Sequence, residues 1–169
     1  MARVIDNDDN RDAITLDLSA AVWGGLVGAV AYVVAKFLLL NDGLNGLWAI
    51  FRPIATIALR ERVLDPDWEF SPIMLIIGIV IHVLLSILYA LIITFILHRW
   101  GFLVGVLGGA ALGLALYVIN YYTFSLLFPW FFAQDGGWIS AVSHVIFGAF
   151  AGGTYELLEE NHARKRERI

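Results

Sequence analysis

Between Gly101 and Ser125 the sequence reads GFLVGVLGGAALGLALYVINYYTFS, and glycine returns every fourth residue at Gly101, Gly105, Gly109 and Gly113. Tyr117, Tyr121 and Ser125 carry the same row onward. In a water-exposed helix each interior glycine costs about 1 kcal/mol relative to alanine, so four in register need a compensating gain. A bilayer supplies it. Lipid forces the backbone to bond within its own helix, and absent side chains let a second helix approach backbone to backbone. The flanking Leu103, Val104, Val106, Leu107, Leu112, Leu114 and Leu116 are apolar on every side. The stretch reads as a transmembrane helix with a smooth packing groove.

Composition agrees. Of 169 residues 60% are hydrophobic and 15% charged, against about 25% charged in an ordinary soluble domain, and the charges fall outside the apolar runs. The length fits one membrane domain. Net charge is −4 and no basic stripe runs among aromatics, which argues against nucleic acid binding. With no cysteine, disulfides, thiolate metal sites and thiol nucleophiles are excluded. The polar segment 1–18 holds Asp6, Asp8, Asp9, Asp12 and Asp17 against Arg3 and Arg11. That is neither a basic signal-peptide start nor an acid-poor transit peptide, so the first apolar run is expected to drive insertion and to stay.

The pattern predicts an all-α integral membrane four-helix bundle with spans over about 19–40, 72–97, 102–128 and 138–158, near the roughly 20 residues a bilayer requires. Between the first two, about 44–63, Leu44, Leu47, Trp48, Phe51, Ala55 and Ala58 follow helical spacing, which predicts an amphipathic helix lying in the interface. The carboxylates of DPDWEF (65–70) lack the spacing of a calcium loop and read as a solvated turn. Four residues, His98 to Gly101, separate the second and third spans, which makes those helices antiparallel neighbours. An aromatic turn, FPWFFAQDGGW, precedes the fourth span. The tail 159–169 alternates acids and bases, as a solvated helix does. Four spans put both termini on one side, with Arg3, Arg11, Arg99, Arg164, Lys165, Arg166 and Arg168. The other side has Lys36, Arg52, Arg60 and Arg62. This asymmetry favours cytoplasmic termini.

Each span carries a row, at every fourth residue, that is smaller or more polar than its surroundings. In the first it is Ala20, Gly24, Gly28, Tyr32 and Lys36; in the second Gly78, His82, Ser86, Ala90, Thr94 and His98; in the fourth Ser140, His144, Gly148, Gly152 and Glu156. Such rows are packing ridges, expected to face inward or partly toward another subunit. Lys36 lies near a span end, where its stem can snorkel to the headgroups. His82 falls about 15 Å into its span and His144 about 9 Å into its own from the same face. Ionisable groups at such depth are rare and often functional. The structural alternative is a neutral imidazole bonded to a neighbouring helix through Ser86, Ser143, Asn120 or a tyrosine.

Three functional readings follow. The first is a non-enzymatic membrane protein, an oligomeric or accessory component whose packing rows recognise other helices. The second is an oligomeric proton or small-solute path using Lys36, His82, Ser86, Asn120, Tyr121, His144 and Glu156. The third is haem b between His82 and His144, against which stands an axial offset of about 6 Å between the two. No cofactor is otherwise expected, and no metal: His82 and His98 lie about 24 Å apart along their helix. The partners expected are the lipid bilayer and other membrane subunits, a second copy of this chain among them. Neither a metalloprotease HExxH nor a phosphate-cradling GxxxxGK[ST] is present.

A glycine-rich first span, Phe51-Arg52-Pro53-Ile54 in the loop, a central histidine in the second span, and NYYTFSLLFPWFF before a His144-bearing final span make up a wider pattern. It resembles the uncharacterised bacterial four-span inner-membrane proteins of the YagU-like group, some of which carry the label sodium:proline symporter. The resemblance covers roughly 20–158. It implies a bacterial inner membrane and a role in envelope or acid stress.

Overall fold

The computed structural model describes residues 16–43, 45–64, 70–98, 100–130 and 137–166. Among these residues the helices are α1 (Leu18–Leu40), α2 (Asn45–Leu59), α3 (Pro72–Leu97), α4 (Phe102–Thr123) and α5 (Trp138–Arg166), and there is no strand. Short 3-10 turns follow α2 at Glu61–Leu64 and α4 at Phe124–Leu126. Most of the expected solvated turn, 65–69, Arg99 and most of the aromatic turn, 131–136, lie outside the described residues.

Local chemistry sets the boundaries. Asp17 caps α1 by accepting from the Ala20 amide at 3.0 Å, satisfying one of the donors a helix start leaves over. Asn41 ends the helix in the left-handed region, φ 52°. Pro72 occupies the first turn of α3, where its missing N–H removes nothing. The turn from α3 to α4 needs φ 87° at Gly101, a value open to glycine and strained for other residues. The third apolar run tightens into a 3-10 turn at Phe124, sooner than its hydropathy indicates. The charged tail continues α5 as far as Arg166, as its charge pattern predicts.

Among the described residues, three helices are long and apolar enough to cross a membrane: Leu18–Leu40, Pro72–Leu97 and the Phe102–Leu126 run that α4 opens. α5 is not among them, since Ser140, Ser143, His144 and its glycines dilute it and its last turns are charged. Large apolar side chains cover the outside, with Phe95 74% and Leu103 68% exposed. A water-soluble monomer rarely exposes so continuous an apolar surface; a membrane protein does so by necessity.

The glycine row of α4 closes on α5. A Cβ on Gly105 would fall 2.8 Å from the Gly152 carbonyl oxygen, one on Gly109 would meet that of Gly148, and one on Gly113 that of His144. Gly148 and Gly152 return the contact against Gly109 and Gly105. α1 runs antiparallel along the same helix, with Gly24 against Ala151 and Gly28 against Phe147, while Gly25 faces Ile87 and Ala90 of α3. α4 leans on α5 far more than on α3. The rows therefore face inward, the first of the two placements the spacing allows, and they are filled by helices of this same chain. Gly101 is the exception, with nothing near its missing Cβ; its role is the turn.

Candidate functional site: a polar chamber beside helix α2

At the end of the bundle remote from the start of α1 and the end of α5 the helices part around a cavity of about 270 Å³. α1 contributes Tyr32; α2 contributes Ile54 and Ile57; α3 contributes His82, Leu85, Ser86 and Tyr89. Tyr117, Asn120 and Tyr121 come from α4, with Phe124 and Phe128 beyond it, and Ser140, His144 and Phe147 come from α5. Five of the seven intramembrane polar residues singled out in the sequence, His82, Ser86, Asn120, Tyr121 and His144, thus meet at one place.

α2 forms the roof. Its Phe51 carbonyl seats against Gly78 on α3, where a Cβ would stand 2.5 Å from the oxygen. The Phe51 ring meets the His82 ring at a centroid distance of 5.8 Å. Ile50, Phe51 and Ile54 pack as a cluster with Val33, Phe37, Leu75 and Ile81. The far end of α2 is held by the Trp130 indole, whose N–H donates to the Thr56 carbonyl at 3.3 Å. Its arginines are engaged as well: Arg52 donates to the Val63 carbonyl at 2.7 Å, and Arg60 lies over the Trp130 ring. The amphipathic face of this helix is buried against protein and not only against an interface.

Backbone carbonyls fix both imidazoles. His82 Nε2 lies 3.1 Å from the Ala29 carbonyl of α1, and His144 Nδ1 lies 2.7 Å from the Ser140 carbonyl one turn back. A carbonyl only accepts, so each of these nitrogens carries the proton. In the neutral rings the remaining nitrogen, Nδ1 of His82 and Nε2 of His144, then has acceptor character. His82 does join a neighbouring helix, as the structural alternative holds, with the Ala29 main-chain carbonyl of α1 as a partner. Tyr32 lies between α3 and α5, its ring 5.2 Å from that of His82 and 5.1 Å from that of His144. Across the chamber the Tyr89 hydroxyl donates to Asn120 Oδ1 at 2.8 Å, bridging α3 and α4 where their backbones diverge. Tyr32, Tyr89, Tyr117 and Ser140 are the polar members the sequence did not mark as site residues. Tyr89 sits off the small-residue row of α3, and Tyr32, though on the row of α1, is not ionisable at neutral pH.

Two candidates fall elsewhere. Lys36 does not snorkel to the headgroups: it is 3% exposed, and its ammonium donates to the Tyr32 hydroxyl at 3.5 Å. It stands behind the chamber wall. Glu156 lies at the opposite end of the bundle, where its Oε2 accepts from the Gly101 amide at 2.9 Å. There it caps α4, a favourable place for a carboxylate because the amino ends of helices carry partial positive charge. His98 beside it contacts the Tyr155 hydroxyl and Glu159, and His162 pairs with Asp17 at 2.6 Å. These contacts tie the α3–α4 turn and the start of α1 to α5. Between the two ends Ala90, Ile93, Leu97, Leu116, Phe147 and Ala151 form a buried apolar cluster.

Among the described residues no group of three His, Cys, Asp or Glu side chains is placed to hold a metal ion. Nor do His82 and His144 offer a slot for haem b. The Tyr32 ring occupies the space against both imidazoles, the His82 Nε2 that haem ligation uses is turned to Ala29, and 270 Å³ falls below the roughly 300–1,000 Å³ of drug-sized pockets. Set against protein-family models, curated proteins and solved structures, the chain finds no match.

Proposed function

We propose that this chain is a non-enzymatic, four-span integral membrane protein that holds a small uncharged molecule in the chamber under α2. The gathering of two imidazoles, an asparagine and four tyrosines into one cavity, with no carboxylate, lysine or arginine among the described residues that line it, carries this reading. Polar groups brought together inside apolar surroundings are costly unless they are partnered, and a few convergent polar groups in a mostly apolar pocket are the usual mark of a ligand site. α1, α3, α4 and α5 are the four spans, α2 lies at the outer interface, and the termini face the cytoplasm of a bacterial cell, in keeping with the Lys/Arg asymmetry and with the YagU-like resemblance.

This reading departs from helix recognition, because the glycine rows that would recognise other helices are filled by α4 and α5 themselves. A partner subunit would dock on the exposed apolar faces instead. Conduction has less support: the apolar cluster below the chamber separates it from the other end of the bundle. The test is an organic extract of the purified protein analysed by mass spectrometry, beside the same extract of Leu85→Trp, which fills the chamber. The wild type is expected to carry an uncharged compound that the variant lacks. Identical extracts from the two would reject a chamber ligand.

A further inference from the structure

Resting on the chamber reading above, we propose that the chamber is filled from the bilayer and not from water: its guest is a lipid-soluble compound that enters sideways between α3 and α4, past a bar formed by Tyr89 and Asn120. The burial of the wall gives the direction. Tyr32 of α1, Ile54 of α2, and Ser140 and Phe147 of α5 are buried. On α3, His82 and Ser86 are buried too, whereas Leu85 and Tyr89, one turn apart on the flank toward α4, are partly exposed. All three lining residues of α4, Tyr117, Asn120 and Tyr121, are partly exposed, as are Phe124 and Phe128 beyond it. On the other elements only Ile57 and His144 share this exposure. Among the described residues the wall is therefore thinnest where α3 and α4 face each other.

Packing explains the gap. Near the turn at Gly101 the two helices touch: a Cβ on Gly108 would meet a Leu97 methyl at 2.8 Å, and Ile93, Leu97 and Leu116 share a buried cluster. Farther along, α4 follows its glycine row onto α5 and leaves α3. What spans the space there is the hydrogen bond from the Tyr89 hydroxyl to Asn120 Oδ1 at 2.8 Å, two long polar side chains in place of interlocked apolar ones. Hydrogen bonds between membrane helices contribute modestly, so this bar can part while the seam of α4 and α5 holds.

The medium outside the bar decides what can pass. Tyr89 stands eight residues, about 12 Å, inside the Leu97 end of α3, within a hydrocarbon layer roughly 30 Å thick. The rim is apolar: Leu88 and Ile92 on α3 and Ile119 on α4 are between 42% and 50% exposed. A water-borne polar or charged guest would have to shed its hydration to cross lipid and reach this opening, which is costly. A compound already dissolved in the bilayer meets the opening at its own depth. The lining behind it, mostly apolar with a few polar groups, is the usual composition of a pocket for such a compound.

The test reads access from each phase with thiol reagents, using the full cysteine-free chain in lipid nanodiscs. Ser86→Cys places a thiol on the chamber wall, and Asp42→Cys, at an exposed position, is the water-facing reference. N-phenylmaleimide dissolves in lipid; a sulfonated maleimide stays in water. The ratio of the two labelling rates, lipid-soluble over sulfonated, is expected to be at least about tenfold greater at Ser86→Cys than at Asp42→Cys, because charge is kept out of hydrocarbon. Removing the bar with Tyr89→Phe should speed phenylmaleimide labelling of Ser86→Cys by about two- to tenfold, the worth of one hydrogen bond, and Leu85→Trp should stop it. Equal ratios at the two positions would mean that the chamber opens to water, and an unchanged rate in Tyr89→Phe that Tyr89 bars nothing. Either result overturns lateral entry and leaves the chamber reading standing. Failure of both reagents to label Ser86→Cys, with or without Tyr89→Phe, overturns it as well. Phenylmaleimide labelling that survives Leu85→Trp would count against the chamber itself. Ser140→Cys, on the opposite wall, repeats the comparison should Ser86→Cys fail to fold.

Discussion

Two adjacent glycines make the sharpest test of how this bundle is held together. Gly109 faces α5 and Gly108 does not. A methyl group on Gly109 would stand 2.2 Å from the carbonyl oxygen of Gly148, whereas one on Gly108 would meet a terminal methyl of Leu97 at 2.8 Å. Ordinary contact begins near 3.4 Å, so Gly109→Ala demands about 1.2 Å of separation between two backbones, while Gly108→Ala asks only that a leucine change rotamer. A gap of 0.5–1 Å already forfeits a quarter to a half of each dispersion contact, and the loss extends to the neighbouring crossings at Gly105 and Gly113. Overpacking of this kind costs about 1–3 kcal/mol. The better helix propensity of alanine returns up to about 1 kcal/mol at either site. Gly109→Ala should therefore destabilise by roughly 1–2 kcal/mol, and Gly108→Ala should be neutral or stabilising by a few tenths. Reversible unfolding in mixed micelles by titration with SDS, followed by far-ultraviolet circular dichroism, measures both. Equal stability of the two variants would mean that α4 and α5 are not packed through this seam.

Three further substitutions probe the roof, the opposite cap and the topology. Gly78→Ala places a methyl 2.5 Å from the Phe51 carbonyl and should lift α2. In this cysteine-free chain an Ile54→Cys reporter should then react several-fold faster with maleimide, and an unchanged rate would show that Gly78 does not seat the roof. Glu156→Ala removes the acceptor of the Gly101 amide and should cost about 1 kcal/mol, as other lost caps do. Glu156→Gln keeps an acceptor oxygen and should cost less in the same unfolding titration; equal losses would dismiss the capping role. For topology, an Asp42→Cys reporter in intact cells should react with a membrane-impermeant maleimide while a C-terminal green fluorescent protein fluoresces. A dark fusion with an unreactive cysteine would reverse the orientation.

The bounds of α3 and the antiparallel turn at Gly101 were legible in the sequence because hydropathy and glycine chemistry act locally. α2 was legible as an amphipathic helix, but not as the roof of a cavity: its buried face meets Gly78 and Trp130, partners 20 to 80 residues away whose pairing no local period encodes. The same holds for the side chains. Lys36 near a span end fits snorkelling by depth alone, whereas in the fold it turns inward to Tyr32, which lies between α3 and α5. Glu156 looked like a member of the polar path because it shares a row with His144. Twelve residues of helix separate them by about 18 Å, and that distance carries Glu156 to the other end of the bundle.

The rows also explain why a chamber forms at one end and not at the other. On α4 the row is glycine at 105, 109 and 113 and then tyrosine at 117 and 121; on α1 it is alanine and glycine at 20, 24 and 28 and then Tyr32 and Lys36. α5 runs the opposite way, with Ser140 and His144 before Gly148 and Gly152. Because α5 is antiparallel to α1 and α4, the small halves of all three rows meet at the terminal end and the bulky polar halves meet under α2. Backbones drawn together at one end and held apart by tyrosines at the other must diverge, and the wedge between them is the cavity. The glycine seam and the polar site are two ends of one device. If that is so, Tyr117→Ala should enlarge the chamber without loosening the seam, while Gly109→Ala should loosen the seam and widen the wedge. In the first variant recovery of the bound compound in the organic extract should fall with stability nearly preserved; in the second both should fall together.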